Sequence, residues 1–335
     1  MRRILANLLC EDELASTFFR RSRARTSRPR RVLEAISRHA TRLRVFAREG
    51  DHLWTPAPVE HLPDQPQLPS VVWESGPLHE LPPATEVLAW CETPAAAAHR
   101  GRLRDSVAAS LDGPLHELLW NLPAADPSVV AAANHRAFHL LVAEEIGCAL
   151  PDTRRVWSLA ELDRLLRHGP RRWVVKAPLS AAGRDRYIER NGPALSDEKA
   201  RRTVERLFER HDSLLFEPWM DRIDDFGVSA LLTDSALRIV GIHRQKVDRK
   251  GQFVGIDLES GPAEEDQDRL LETTEEVANA LRLAGYEGPF GIDAWSYRRE
   301  DGAVVLNLLG EINARMTFGL VAWALAERLR STQLL

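Results

Sequence analysis

The feature that most constrains this chain is an apolar strand ending in a polar cluster, AVVLNLLGEINAR at 303–315. Side chains alternate between faces along a strand, so Glu311, Asn313 and Arg315 fall on one side and Ile312 and Ala314 on the other. One face thus carries a carboxylate, an amide oxygen and a guanidinium. The preceding strand, GPFGIDAWSY, brings Asp293 opposite Glu311 if 289–297 and 303–311 form a hairpin around Glu300, Asp301 and Gly302. Two carboxylates and an amide oxygen make a hard, oxygen-only set suited to Mg²⁺ or Mn²⁺ carrying nucleotide phosphates. An edge hairpin with surface charges reads as well from these residues alone, so what precedes them must decide.

The strand-like WVVK ends in Lys176 and runs into APLSAAGRDR. A lysine leaving a buried strand beside a glycine-containing loop is placed to meet phosphate oxygens while the loop backbone closes over them. Next, SLLFEPWMDRIDDFGVSALL carries a buried strand to Glu217, through Pro218, Trp219 and Met220, and back into a strand at Phe226.

At 335 residues the chain is long enough for two or three compact units. Its 44% hydrophobic content is that of a globular protein, and a net charge of −4 gives no global pull toward nucleic acid or anionic membrane. Cys10, Cys91 and Cys148 are too few and too widely spaced for a disulfide framework or a CxxC site, which points to a reducing cytoplasm. No apolar stretch approaches the ~18 residues of a membrane span. The N-terminus, MRRILANLLCEDELA, meets acidic residues too early for a signal peptide and reads as a buried strand over 2–10.

From there the sequence predicts a helix over 30–47, a proline-rich extended segment over 51–85 with a strand at 71–73, a strand at 86–90, and a helix from Pro94 toward Ala109 capped by Thr93. The Arg-rich RRSRARTSRPRR at 20–31 is a solvated loop or one that binds an anion or nucleic acid. Beyond it follow a helix over 128–146 ended by Gly147, a strand at 154–157, a helix over 158–169, strands at 172–177 and 184–189, a helix over 196–210, and a strand at 214–218. Long hairpin strands (225–233, 236–247, 252–258), a helix over 263–284, the 289–311 hairpin and a closing helix over 316–330 complete the chain. The first 125 residues thus read as an open parallel α/β unit and the rest as α+β.

In its order of motifs the segment from about 130 to 320 resembles the ATP-grasp superfamily of carboxylate–amine ligases. AANHRAFHLLVAEEIGCALPDT is similar to the family's Asn/Asp-x-Lys helix with its Gly-x-x-x-Pro-x-Thr exit, RWVVKAPLSAAGRDR to its first nucleotide strand and phosphate loop, LLFEPWM to its adenine hinge, and GIDAWSY…GEINAR to its metal hairpin. The resemblance implies a Rossmann-like pre-ATP-grasp domain over 1–125, a central or lid subdomain over 126–190 and a catalytic subdomain over 191–335.

It also implies roles. Lys176 would meet the α-phosphate, Arg136 would stand where the family has its first lysine, and Gly183 would belong to the phosphate loop. Glu217, the Pro218 carbonyl and the Met220 N–H would hold adenine, and Asp225, with Asp224 as fallback, the ribose. Asp293, Glu311 and Asn313 would hold Mg²⁺, and Arg315 would steady a carboxylate or oxyanion. Relatives that place an oxyanion-binding arginine two residues before the metal aspartate have no counterpart at Gly291, which leaves Arg315, Arg238, Arg244 or Lys246. His243 either meets substrate or packs.

The implied activity is ATP-dependent joining of a small carboxylate to an amine, an amino acid or peptide among the candidates, through an acyl phosphate, with ADP and phosphate released. A nucleotide-binding regulatory protein and a kinase of the same fold are the alternatives. No nucleic acid or membrane is implied as partner, and relatives are often homodimers.

Overall fold

The computed structural model describes residues 1–18, 28–60, 65, 67–100, 110–180, 185–190, 192, 194–248, 253–299 and 301–333. Three sheets organise them. The first is parallel, with strands β1 (Arg2–Leu5), β2 (His52–Thr55), β3 (Val72–Ser75) and β4 (Glu86–Ala89) in the order β3-β2-β1-β4. Around it lie α1 (Cys10–Phe18), α2 (Arg30–Ala40), α3 (Pro94–Ala98) and α4 (Leu115–Asn121). Trp54, Trp90 and Trp120 are buried there as packing residues, and Trp73 packs against the same core.

Two expectations change in this unit. The first strand stops at Leu5, because the Asn7 side chain binds the backbone of Cys91 in both directions and ends the run. Glu11, Asp12 and Glu13 then favour a helix start at Cys10, their charges lying at the positive end of the helix dipole. The helix predicted over 30–47 is α-helical only to Ala40 and continues as a 3-10 turn over Thr41–Phe46, where Leu43, Val45 and Phe46 are all buried. The Thr93 cap is present, but the helix expected from Pro94 toward Ala109 ends at Ala98, where His99 caps it and Arg100 bridges to Ala84; 101–109, and 20–27 of the Arg-rich segment, lie outside the described residues.

The helix predicted over 128–146 is two helices, α5 (Pro127–Ala133) and α6 (Arg136–Glu145), broken at Asn134 and His135. Asn134 leaves the helix to bond the backbone of Ala314, donating to its carbonyl at 3.2 Å and accepting from its N–H at 3.0 Å. His135 Nδ1 accepts from the Ala137 N–H at 3.0 Å and caps α6.

The second sheet joins β5 (Arg154–Val156), β6 (Trp173–Lys176), β7 (Arg186–Glu189) and β8 (Leu214–Pro218) in the order β5-β8-β6-β7, with α7 (Leu159–Leu166) and α8 (Glu198–Arg210). Trp173, Val175, Val204, Leu207 and Phe216 form its own core. Because β8 pairs with both β5 and β6, this unit crosses the 190/191 boundary expected from sequence, and 214–218 belongs with it.

The third sheet is antiparallel, β11-β10-β9-β12-β13, built from β9 (Asp221–Leu232), β10 (Leu237–Val247), β11 (Phe253–Asp257), β12 (Gly288–Arg298) and β13 (Val304–Asn313). Helices α9 (Glu264–Leu283) and α10 (Phe318–Gln333) pack on it. Its core is continuous with that of the first unit, joining Ile4, Leu43 and Leu115 to Val228, Ile292 and Leu320. Among the described residues no helix is long and apolar enough to cross a membrane.

Candidate active site

The β12–β13 register pairs Asp293 with Glu311 across the hairpin, which turns at Gly302 with φ of +86°. Between them and the turn, four positions on β13 (Asn307 to Gly310) stand against two on β12, a bulge that carries the polar end of β13 around Trp295. A Cβ on Gly310 would come within 2.6 Å of the Trp295 Nε1, so the bulge closes on the indole only because residue 310 has no side chain.

Asp293 is held by two amides, Gln245 Nε2 at 2.7 Å and Asn313 Nδ2 at 3.1 Å. Burial and the nearby Glu311 charge push its carboxyl up to about 6 despite those donors. Burial also pushes Glu311 up, but the Arg136 and Lys176 cations outweigh it and the net shift is downward. Two carboxylates facing each other in a cleft, one of them resisting ionisation, form an all-oxygen pair of the kind that suits a hard divalent cation. Asp293 and Glu311 fit Mg²⁺. Asn313 turns its nitrogen to Asp293 and its oxygen to Arg315 Nη2 at 2.9 Å, so half a turn of the amide would bring the oxygen to the carboxylates.

Opposite lie the cations. A cavity of about 110 Å³ is bounded by Arg136, Lys176, Arg186 and Arg222 against Asp293 and Glu311. Four positive and two negative groups leave an excess of positive charge suited to a polyphosphate. A narrower space of about 20 Å³ continues toward Glu217 between His139, Leu215 and Leu309. Lys176, at the end of β6, hydrogen-bonds Glu217 on β8. Burial lowers the Lys176 pKa and pushes that of Glu217 up, but the Lys176 charge and hydrogen bond, with His139 and Arg136, together bring the Glu217 carboxyl down.

Arg136 is spent mostly on the protein. Its guanidinium donates to the Ala177 carbonyl, to Ser180 Oγ at 2.9 Å, to the Ser180 carbonyl at 3.0 Å and to Glu311 Oε1 at 2.8 Å. Arginine's planar fork can hold these acceptors together, where a lysine could not. The break at Asn134 allows this, since it starts α6 at Arg136 and lets the Arg136 N–H reach the Pro178 carbonyl at 2.9 Å.

Pro218 closes β8, and the Trp219 N–H donates to the Arg172 carbonyl at 2.9 Å, fixing the chain that leads to Met220. The β9–β12 register places Asp225 opposite Trp295, two residues from the Gly227–Asp293 pair, so Asp225 shares the Asp293 side of the sheet and Asp224 the reverse. Asp225 accepts from Arg222 at 3.1 Å, and Asp224 is bonded by Arg244. Gly183 lies outside the described residues.

Arg315 is buried between the two larger units. Its Nε lies 3.0 Å from Glu11 Oε1 of α1, its Nη1 donates to the Met316 carbonyl at 3.2 Å, and although burial lowers its pKa, the charges of Glu11, Cys10, Cys91 and Glu311 together raise it. The other oxyanion candidates are engaged away from Asp293 and Glu311: Arg238 with the Gly113 carbonyl at 2.6 Å, Arg244 with Asp224, and Lys246 with Asp257 at 3.0 Å. At Gly291 a Cβ would meet Thr317 Cγ2 and the Val228 carbonyl at 2.9 Å each, so no arginine fits there. His243 is a packing residue, 3% exposed, with a Cβ on either Gly227 or Gly319 overlapping its ring.

The sequence reading missed His139, Arg186, Arg222, Gln245 and Trp295. His139 follows Arg136 by three residues on α6 and so shares its face, a spacing legible in sequence. The others enter through strand register: Arg186 lies opposite Lys176, and Arg222 stacks 4.2 Å over Trp295.

No protein-family model matches the sequence, and no curated protein matches it. Solved structures do match. An ADP complex of N5-carboxyaminoimidazole ribonucleotide synthetase superposes with a TM-score of 0.52 at 11% identity, over 94% of this chain and 70% of that one. The N5-carboxyaminoimidazole synthetase of Staphylococcus aureus, complexed with ADP, gives 0.52 at 9% identity over the same shares. The VanG D-Ala:D-Ser ligase of Enterococcus faecalis gives 0.44 at 13% identity, and the chain spans 55% of its length. At these identities the likeness is one of fold. The chain has the ATP-grasp fold, preceded by a parallel α/β unit of the pre-ATP-grasp kind.

Proposed function

We propose that this protein is an ATP- and Mg²⁺-dependent ligase that activates a small carboxylate and joins it to an amine, releasing ADP and phosphate. The observation that carries this reading is the pairing of Asp293 with Glu311 in a cleft facing Lys176, Arg136, Arg186 and Arg222. In it, Glu217, the Pro218 carbonyl and the Met220 N–H hold adenine, Asp225 the ribose, and Lys176 leaves Glu217 for the α-phosphate. Asp293, Glu311 and a turned Asn313 hold Mg²⁺, which when bound would offset charge on the β- and γ-phosphates. Arg186 and Arg222 add phosphate contacts, and Arg136 keeps the stem of the phosphate loop against β13.

In the first step a substrate carboxylate oxygen attacks the γ-phosphorus and the bond to the β–γ bridging oxygen breaks, giving acyl phosphate and ADP. The amine nitrogen then attacks the acyl carbon, phosphate departs, and the amine proton passes to solvent or a base. The cationic cleft stabilises the transferring group by preorganised electrostatics. Arg315 orients Asn313 and adds positive charge behind the metal site. Three free cysteines suit a cytoplasmic setting, and the substrate is a small acid, an amino acid or peptide among the candidates.

Purified protein incubated with Mg-ATP and a panel of acids and amines tests the reading. ADP and phosphate should accumulate together only when both an acid and an amine are present; AMP release, or no turnover across the panel, would overturn it. A regulatory nucleotide-binding role is the second reading. It is favoured by the Lys176–Glu217 and Arg136–Glu311 pairs, in which the cleft's cations and acids already neutralise one another. Calorimetric binding of ATP without turnover for any carboxylate would select it.

A further inference from the structure

A second cavity lies behind the phosphate cleft. It measures about 360 Å³ and is bordered by α1, the start of α6, β5 and the turn between α8 and β8. Pro178 and Leu179 line it, whereas the neighbouring Ser180, with Asp293 and Glu311, lines the cleft. The segment 178–180 is therefore a wall between the two.

Its lining combines apolar residues, Ala132, Phe138 and Leu179 among them, with the polar Arg155, His211 and Ser213. Two buried nitrogens of its lining, Arg155 Nε and His211 Nε2, have no hydrogen-bond partner among the described residues, and His211 is only 9% exposed. Polar groups left so in a folded protein are costly unless something binds them. Arg155 is fixed in place, its Nη2 donating to Ser213 Oγ at 3.0 Å and its guanidinium 5.1 Å from the Trp157 ring. The first turn of α6 adds the positive end of a helix dipole at His135. Burial, with Arg155 close by, lowers the His135 pKa to about 4, and burial lowers that of His211, so Arg155 is the fixed cation of the cavity at neutral pH. The one acid, Asp212, is exposed.

We propose that this cavity is an effector site for a small carboxylate with an apolar body, the carboxylate on Arg155 and His211 and the hydrocarbon against Phe138 and Leu179. The wall at 178–180 separates it from the metal-site carboxylates, so it is not the seat of the reacting acid. Occupancy reaches the phosphate loop through that wall: the Pro178 carbonyl accepts from the Arg136 N–H at 2.9 Å, and the Arg136 guanidinium grips Ser180 and Glu311. The proposal uses the nucleotide cleft but no step of ligation.

The test uses the full chain, with 4-methylpentanoate as probe and 4-methylpentanamide as its uncharged counterpart, binding read by ligand-observed NMR without nucleotide. The acid should bind at least about tenfold tighter than the amide, and should change the affinity for a non-hydrolysable Mg-ATP analogue about threefold or more. Arg155→Met should weaken the acid about tenfold while nucleotide affinity without the acid stays within about twofold. If Arg155→Met melts early, His211→Leu is read with the same expectation. Equal binding of acid and amide, undiminished binding in both variants, or loss of the probe in Lys176→Met would overturn the proposal, the last placing the probe in the phosphate cleft. ATP turnover on an acid and amine panel is scored separately, so failure of the ligase reading is a distinct result.

Discussion

Arg136 shows how one residue type can redirect a site. A lysine there would present a single ammonium to phosphate, whereas the arginine holds three acceptors of 177–180 and one oxygen of Glu311. Arg136→Lys should therefore loosen the loop stem without removing the charge, raising the KM for ATP about tenfold with a smaller change in kcat. An unchanged KM would show that the strap is dispensable. Glu311→Gln should cut turnover at least about a hundredfold while ATP binding persists, since it removes one of the two carboxylates proposed to hold Mg²⁺. His243 bears on pH instead. Its folded pKa of about 4 lies below its ordinary 6.5, so the unfolded chain takes up the proton first. The stability is complete above pH 6.5 and is lost as pH falls toward 4, about 2 kcal/mol of it by pH 5. Urea midpoints at pH 7 and pH 5 should diverge in the native chain, and less in His243→Gln.

Elements were legible where one period ran undisturbed and turn residues bounded it. The 289–311 hairpin is the clearest case: alternation and the Asp301–Gly302 turn sufficed to bring Asp293 opposite Glu311. The break in 128–146 was not legible, because its apolar spacing continues through Asn134 and the cause is a bond to Ala314, 180 residues away. The bulge before Glu311 was hidden for the same reason, since only packing against Trp295 reveals why residue 310 is glycine. Arg186, Arg222 and Gln245 reach the site through the register of neighbouring strands, which no local pattern encodes. The seating of α10 on the third sheet is equally non-local and can be tested. Gly319, in its first turn, leaves room for the His243 ring, so Gly319→Ala should destabilise the protein by about 1–3 kcal/mol by overpacking. In a His243→Ala background the same change should cost clearly less, the remainder being the contact of the new Cβ with Ser229 Oγ at 2.7 Å. Equal costs in both backgrounds would mean that the His243 cradle does not set this contact.

At the scale of the molecule, the three sheets share two principal cores unequally. The parallel sheet and the five-stranded sheet draw on one continuous apolar cluster, tied further by the buried Glu11–Arg315 pair and by Arg328, whose side chain donates to the Val45 and Ala47 carbonyls at 2.7 Å. The β5-β8-β6-β7 sheet has a separate core, Val156 to Phe216, and no residue of it appears in the larger cluster. Cooperativity follows shared burial, so the outer units should unfold together and the central unit independently at lower temperature. Calorimetry should resolve two transitions, and amides of β6 and β8 should exchange faster than those of β9 and β12. Because the cleft lies between the central sheet and the β12–β13 hairpin, Mg-ATP at about 100 times its Kd should stabilise the clamped state by about 2.7 kcal/mol. It should raise the lower transition toward the upper one. Glu11→Gln should act differently, weakening the joint of the outer units and lowering the upper transition while leaving the central one in place. A single transition with equal calorimetric and van't Hoff enthalpies in the nucleotide-free protein would refute the division, and would mean that contacts across the empty cleft already bind the central unit to the rest.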